Sequence, residues 1–364
     1  MNDPALHWLL EHYHNAPAAI DSVWLCDEAS REFTDHLAVR AQTQFISNRW
    51  DVCERLKAHQ HGVTFNDFDL SAIADNSQER VYYRISKEKP VVHHIINAAA
   101  RVLQPEGELV IAGLKNEGAK NFLDKAAQVM GCSKATQKHG LAYSAQLNKR
   151  QISALLDDSD YSRLRPIAPL NNTGQTQGAG ELLLWSKPGQ FGWQKIDAGS
   201  AFLLSTLAQQ NMPSNEPLTV LDLGCGYGYL SCRAAQTLFN TPQTAFTLTD
   251  NNAAALRSAH YNCEQLGLDA TVVPSDAGTE IAQRFDVILC NPPFHQGFNV
   301  SDDLTERFIA SAGEHLQPGG QAYFVVNAFI GAEQKAKAHF AECRALANNR
   351  QFKVLALSKP RSKP

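Results

Sequence analysis

The 364-residue sequence has no long apolar run, no paired cysteines and no excess of basic charge. No stretch approaches the roughly 18 apolar residues of a membrane-spanning helix, so we expect no membrane contact. The eight cysteines include no CxxC pair, which disfavours a disulfide framework and predicts no metal site. The opening MNDPALHWLLEHYH lacks the basic start and cleavage site of a signal peptide. We therefore expect a cytoplasmic protein with reduced thiols.

The charge is nearly balanced along the chain. Lys and Arg number 33 against 37 Asp and Glu, giving a net charge of -4. Residues 1–150 carry 17 basic and 18 acidic side chains, and the remainder carries 16 and 19. Neither half is basic, which argues against tight nonspecific nucleic-acid binding through overall charge. Any RNA contact must use local patches.

The length fits two domains better than one. Residues 156–180 are rich in Pro, Gly, Asn, Thr and Gln, as linkers are, and separate a domain at 1–155 from one at 181–364. In the second domain, strand patterns alternate with helix patterns, closing with a helix over 332–342 and a strand over 352–357. This alternation predicts an α/β fold with a parallel, doubly wound sheet.

Two passages of the sequence resemble each other. RVLQPEGELVIAG at 101–113 and EHLQPGGQAYFVV at 314–326 align Leu103 with Leu316, and each follows a predicted helix. We infer that the first domain is a second copy of the same α/β unit. It has no glycine cluster and no Pro-Pro loop, so we expect a role in structure or substrate docking.

Acidic and glycine residues mark the expected strand ends of the second domain. The stretch DLGCGYG contains Asp222, Gly224 and Gly226, and its glycines let the backbone approach a ligand closely. Asp222 could hold an ammonium group, Asp250 could accept both ribose hydroxyls, and Asp276 could accept from an adenine amino group. The set describes a pocket for an adenosine bearing a charged amino acid, which is S-adenosylmethionine.

The next strand pattern, DVILC, ends abruptly in NPPFHQG. Neither proline can donate to a sheet ladder, so the chain leaves the strand in a stiff loop. The side-chain carbonyl of Asn291 and the backbone carbonyl of Pro292 could accept both N–H bonds of a planar amino group. Phe294 could stack on the ring that carries it. We predict that these three residues serve methyl transfer to nitrogen.

These motifs resemble the class I S-adenosylmethionine-dependent methyltransferases, and more narrowly the ribosomal RNA guanine-N2 methyltransferases of the RsmC and RlmG group. The resemblance rests on NPPFHQG and on three further stretches: IDAGSAFLL (196–204), VVNAFI (325–330) and RQFKVLAL (350–357). It implies two tandem Rossmann-like methyltransferase domains, the N-terminal one degenerate. It also implies that Asp197 and Gly199 run beside the cofactor. Ala328 and Phe329 favour the small-subunit enzymes.

The resemblance implies methylation of a guanine N2 in 16S rRNA, within the 30S subunit. Because duplicated domains can mimic a dimer within one chain, we expect a monomer. Three other functions stay open at this point. They are guanine-N2 methylation of 23S rRNA, N5 methylation of a protein glutamine, and a noncatalytic role as an RNA-binding assembly factor. Adenine methylation of DNA is a weaker fit, since nothing resembles a target-recognition domain.

Overall fold

The computed structural model describes residues 3–133, 136–167, 182–210, 218–293 and 297–361. The chain divides into two compact units, Met1–Arg163 and Leu164–Pro364. The first unit therefore ends eight residues beyond the predicted boundary at 155. Tyr161 is buried in the core of that unit and donates to Asp67 Oδ1 at 2.6 Å. The rest of the predicted linker, from residue 168, lies outside the described residues.

The first unit contains four helices and a seven-stranded sheet within the described residues. In chain order its elements are α1 (Pro4–Asn15), β1 (Ser22–Cys26), β2 (Thr43–Ser47), α2 (Trp50–Ala58), β3 (Val63–Phe65), β4 (Gln78–Arg84), α3 (Lys89–Val102), β5 (Leu103–Leu114), α4 (Ala119–Met130), β6 (Gln137–His139) and β7 (Ala142–Asn148). Every residue of β1 is buried: Val23 and Leu25 pack in one hydrophobic cluster, Trp24 and Cys26 in another. Successive strand residues point to opposite faces, so this sheet is covered on both sides.

The second unit has the same architecture. Its elements are β8 (Arg165–Pro166), β9 (Trp185–Ser186), α5 (Ala198–Leu207), β10 (Thr219–Leu223), α6 (Tyr229–Thr237), β11 (Ala245–Asp250), α7 (Ala253–Leu266), β12 (Ala270–Pro274), β13 (Phe285–Cys290), α8 (Gly297–His315), β14 (Leu316–Asn327), α9 (Ala332–His339), β15 (Phe340–Asn348) and β16 (Phe352–Pro360). Strands β8 and β9 form a small antiparallel pair, and the other strands form one seven-stranded sheet.

The two large sheets have one topology. The strand order is β3-β2-β1-β4-β5-β7-β6 in the first and β12-β11-β10-β13-β14-β16-β15 in the second. Five strands of each sheet are parallel, and the last two form an antiparallel hairpin. The prediction of a parallel, doubly wound sheet is therefore confirmed for five strands of the second unit and wrong for the last two, which form an antiparallel edge. Residues 340–342, expected to end a helix, instead begin β15, which pairs with β16.

The duplication extends to the irregularities of the sheets. The β4–β5 ladder shifts register between Gln78 and Arg80, and the β13–β14 ladder shifts between Phe285 and Val287. A side chain at Gly107 would lie 2.9 Å from the carbonyl oxygen of Gln104. One at Gly320, in the matching position, would lie 2.7 Å from a backbone carbonyl oxygen. Both copies therefore need glycine at the same bulge, and the predicted internal repeat is confirmed.

Candidate active site

The glycine loop joins β10 to α6 at the carboxyl edge of the second sheet. The N–H groups of Gly224 and Cys225 both donate to the carbonyl of Thr249 at 2.9 Å, which fastens the loop to the neighbouring strand. Gly224 has φ of +81°, and a Cβ there would meet Phe308 Cε1 at 2.9 Å. Only glycine combines that backbone angle with so close a neighbour.

Asp250 ends β11 and holds the middle of this loop. Its Oδ2 accepts from the Gly226 N–H at 2.9 Å, and its Oδ1 accepts from the Asn252 N–H at 2.9 Å. Gly226 has φ of +56°, and a Cβ built on it has no atom within 4 Å. The loop thus presents bare backbone to open space beside a carboxylate, an arrangement that fits the ribose end of the expected cofactor.

Asp222 lies beneath the loop rather than on its surface. The side chain is fully buried, and its Oδ2 accepts from both the N–H (3.1 Å) and the hydroxyl (2.8 Å) of Ser231. Burial raises the pKa of Asp222 to about 7, against the lowering effect of the Ser231 bonds, and nearby Asp250 raises it further. The observed role of the carboxylate is to join the end of β10 to α6. Its contact with an ammonium group stays a prediction.

Asp276 follows β12 and forms an ion pair with Arg307 of α8. Both side chains are partly exposed, at 22% and 43% respectively, so the pair is screened by solvent and contributes little stability. An exposed pair of this kind can be exchanged for another partner at small cost. The expected contact between Asp276 and an adenine amino group therefore stays a prediction.

Asn291 comes directly after β13 and is bound from the start of α5. Its Nδ2 donates to Asp197 Oδ1 at 2.7 Å and to Ser200 Oγ at 2.8 Å. Asp197 is also the N-cap of α5, because its Oδ1 accepts from the Ser200 N–H at 2.8 Å. Gly199 is buried, and a Cβ there would lie 3.1 Å from Asp197 Oδ1 and 3.2 Å from Phe352. The start of α5 and the end of β13, which are far apart in the sequence, thus meet at the side chain of Asn291.

The structure brings most of the predicted residues to one edge of the sheet. Pro292 is buried beside Asn291, whereas Phe294 lies outside the described residues. The sequence reasoning missed Ser200 and Ser231, each of which binds a predicted residue. Ser200 stands in the IDAGS stretch, three positions after Asp197, which is the spacing of a helix cap and was the available signal.

The first unit has other residues at the matching positions. Strand register places Trp24, Cys26, Ser47 and Arg84 where the second unit has Asp222, Gly224, Asp250 and Asn291. Trp24 stacks on Tyr82 with ring centroids 4.8 Å apart, and Arg84 is buried in ion pairs with Asp3 and Glu117. A 3-10 helix, Glu28–Glu32, follows β1 in place of a glycine loop.

Neither a metal cluster nor a spanning helix is found where the structure describes the chain. Within the described ranges, no group of three or more His, Cys, Asp or Glu could hold a metal ion. No helix in that part of the chain is long and apolar enough to cross a membrane.

Comparison with known proteins assigns the class. Residues 181–356 match the family described as methyltransferase small domain, and residues 18–159 match its N-terminal domain family. The second unit is therefore a methyltransferase domain, and the first belongs to the N-terminal domain family.

More narrowly, the chain belongs to the ribosomal RNA small subunit methyltransferase C family. It is 31% identical to the Psychromonas ingrahamii member over 256 residues, which is 70% of this chain and 68% of that one. It is 30% identical to a Pseudomonas aeruginosa member over 272 residues, 74% of this chain and 76% of that one.

A solved structure shares the fold over nearly the whole length. The T. thermophilus 16S rRNA N2 G1207 methyltransferase (RsmC), in complex with AdoMet and guanosine, superposes with a TM-score of 0.78. The match covers 98% of this chain and 92% of that one at 23% sequence identity. At that identity the likeness concerns the fold, and it includes both units.

Proposed function

We propose that this chain transfers a methyl group from S-adenosylmethionine to the exocyclic N2 of a guanine in 16S rRNA. The observation that carries the proposal is the position of Asn291. It follows β13 at the same sheet edge as Gly226 and Asp250, so an amide suited to holding an amino group lies at the edge that carries the glycine loop. Membership of the family supports the rRNA substrate.

The residues at this edge divide the work. S-adenosylmethionine supplies an activated methyl group when bound, so no strong base is needed before transfer. The carboxamide oxygen of Asn291 and the backbone carbonyl of Pro292 accept hydrogen bonds from the two N–H groups of the guanine amino group. This turns the nitrogen lone pair outward and stabilises the positive charge that grows on it. Phe294 would stack on the base, worth about 1–3 kcal/mol.

The remaining predicted residues hold the cofactor in this proposal. Gly224 and Gly226 provide the backbone cradle, and Asp250 receives the ribose. Asp222 and Asp276 are assigned to the ammonium and adenine ends. Asp197 and Gly199 line the same pocket from the start of α5.

The first unit has a supporting role in this proposal, in structure or in docking of the substrate. It keeps the sheet topology but has an arginine where the second unit has Asn291 and a tryptophan where it has Asp222. We expect one molecule of S-adenosylmethionine per full-length chain by isothermal titration calorimetry. A stoichiometry of two would contradict the assignment.

In this proposal the chain acts in the cytoplasm, and its substrate is the rRNA within the 30S subunit. The active species is a monomer. Light scattering from the purified chain would check the last point. A monomer has the chain mass of 40.1 kDa, and twice that mass would refute it.

Methyl transfer from labelled S-adenosylmethionine to purified ribosomal subunits tests the function directly. The 30S and 50S subunits are taken from cells that lack the corresponding modifications, and the labelled nucleosides are identified. We expect N2-methylguanosine in 30S RNA alone, and the guanine that corresponds to G1207 of the T. thermophilus enzyme's substrate is the first position to map. Label in 50S RNA or in ribosomal protein would overturn the substrate assignment. So would the absence of label from both subunits.

A further inference from the structure

We propose that Asp197 and Ser200 are positioning residues that fix the carboxamide of Asn291 with its oxygen turned toward the target amino group. This inference rests on the proposed function, because it gives the orientation of the side chain that receives the guanine. It assigns to the start of α5 a role in the transfer step itself, apart from any contact with the cofactor.

The side chains of Asn291, Asp197 and Ser200, together with the Ser200 backbone N–H, form a closed hydrogen-bonded group. Asn291 Nδ2 is 2.7 Å from Asp197 Oδ1 and 2.8 Å from Ser200 Oγ. Asp197 Oδ1 also accepts from the Ser200 backbone N–H at 2.8 Å. A primary amide has two N–H groups, and this arrangement gives each of them an acceptor.

The chemistry of the partners decides which end of the amide faces them. An ionised carboxylate can only accept hydrogen bonds, so the Asn291 atom beside Asp197 must be the nitrogen. The opposite rotamer would place Asn291 Oδ1 against Asp197 Oδ1, with two acceptors facing each other. The carboxamide oxygen is therefore the atom directed away from α5.

The orientation matters because the amide is otherwise symmetric in shape. Turned by half a rotation, Asn291 would present N–H donors to the donors of the guanine amino group. Asp197 also polarises the amide through a charge-assisted bond, which strengthens Oδ1 as an acceptor. Ser200 is buried in the first turn of α5 and Asp197 caps that helix, so both side chains are held in place before substrate binds.

The test compares Ser200→Ala with Ser205→Ala on the same helix. Ser205 is exposed, and its hydroxyl donates to the Phe202 carbonyl at 3.0 Å, so the control removes the same atom away from Asn291. We expect Ser200→Ala to lower kcat on 30S subunits by about tenfold, the effect of one hydrogen bond. The Kd for S-adenosylmethionine and the melting temperature should match those of Ser205→Ala.

A second readout separates positioning from a structural effect. Inosine lacks the amino group that Asn291 receives, so the wild type should bind guanosine more tightly than inosine in the presence of S-adenosylhomocysteine. In Ser200→Ala this ratio should fall toward one, and in Ser205→Ala it should not change. An unchanged ratio in Ser200→Ala, or an equal loss of both nucleosides, would overturn the proposal.

Failure of the proposed function and failure of the positioning role give different results. If the wild type leaves 30S RNA unlabelled, the proposed function fails. If the wild type methylates 30S RNA and Ser200→Ala does so with the kcat of Ser205→Ala, only the positioning role fails. A wild type that methylates 30S RNA but binds guanosine and inosine equally also contradicts the orientation of Asn291.

Discussion

Gly226→Ala is the sharpest test of where the cofactor binds. The glycine has φ of +56°, and a Cβ there would enter open space beside Asp250. Gly267, which caps α7, is a matched control: its φ is +60°, and a Cβ there also has no atom within 4 Å. The two substitutions impose the same backbone strain, and only one adds a methyl group at the proposed site.

The magnitudes follow from these two positions. A left-handed alanine costs roughly 1–2 kcal/mol, of which the stiffer unfolded chain offsets part. For a unit of about 200 residues this lowers the melting temperature by roughly 2–4 °C in both variants. An extra methyl group in a close-packed contact costs about 1–3 kcal/mol. Gly226→Ala should therefore weaken S-adenosylmethionine binding by about 5- to 150-fold.

The assay is calorimetric titration of each full-length variant with S-adenosylmethionine, with a melting curve recorded on the same samples. We expect equal melting temperatures and unequal affinities, with Gly267→Ala binding like the wild type. If Gly226→Ala binds S-adenosylmethionine as tightly as Gly267→Ala does, the open space at Gly226 is not the cofactor cradle.

Three further outcomes follow from the site. Asn291→Ala should lower methyl transfer to 30S subunits by at least about a hundredfold while leaving the S-adenosylmethionine Kd nearly unchanged, since the amide acts on the substrate amino group. Asp250→Asn should weaken the binding of S-adenosylmethionine by about ten- to a hundredfold, because charge-assisted hydrogen bonds are lost. Calorimetric titration measures this affinity. Asp222→Asn should flatten the pH dependence of unfolding in the cofactor-free chain. Because the folded pKa of about 7 lies above the ordinary 3.8, this carboxyl favours folding most at low pH, and that contribution is lost as pH rises toward 7 and beyond. Denaturant unfolding at about pH 5 and about pH 8 should show a difference on the order of 3 kcal/mol that the variant lacks.

The two aspartate predictions each have a reference within the chain. Asp286→Asn changes a carboxylate at the opposite end of the sheet, where it accepts from Thr219, and should leave cofactor affinity unchanged. Burial raises the pKa of Asp27 in the first unit to about 6, so the Asp222→Asn variant keeps a smaller slope of the same sign. The contribution of Asp222 is therefore the difference between the pH dependence of unfolding in the wild type and that in Asp222→Asn. Equal pH slopes, or wild-type turnover in Asn291→Ala, would contradict the assigned roles.

The comparison between the two units shows what a repeat in sequence can reveal. The LQPxG motif predicted the duplication because it forms a bulge where a backbone carbonyl leaves room only for glycine. It could not predict that Arg84 occupies the position of Asn291, because that equivalence depends on the register of β4 against β1 and of β13 against β10. The residues that distinguish a methyltransferase unit from its partner are thus read from aligned strands.

Local chemistry in the sequence determined the elements and the candidate residues. The glycine loop, the aspartates that end strands and the Asn-Pro-Pro break are each consequences of backbone freedom or restriction within a few residues. The sequence alone was also enough to predict the two-unit α/β fold and to recognise the family.

Tertiary structure decided what these residues contact. The antiparallel strand β15 was missed because an edge strand is defined by its partner, which lies later in the chain. Asp222 points to the face of β10 opposite to Leu221 and Leu223, and it is buried there, bonded to Ser231 of α6. The contact between Asn291 and Asp197 spans 94 positions, and no local pattern specifies such a pair. Strand pairing and helix packing bring distant residues together, and the chemistry of this site depends on those long-range contacts.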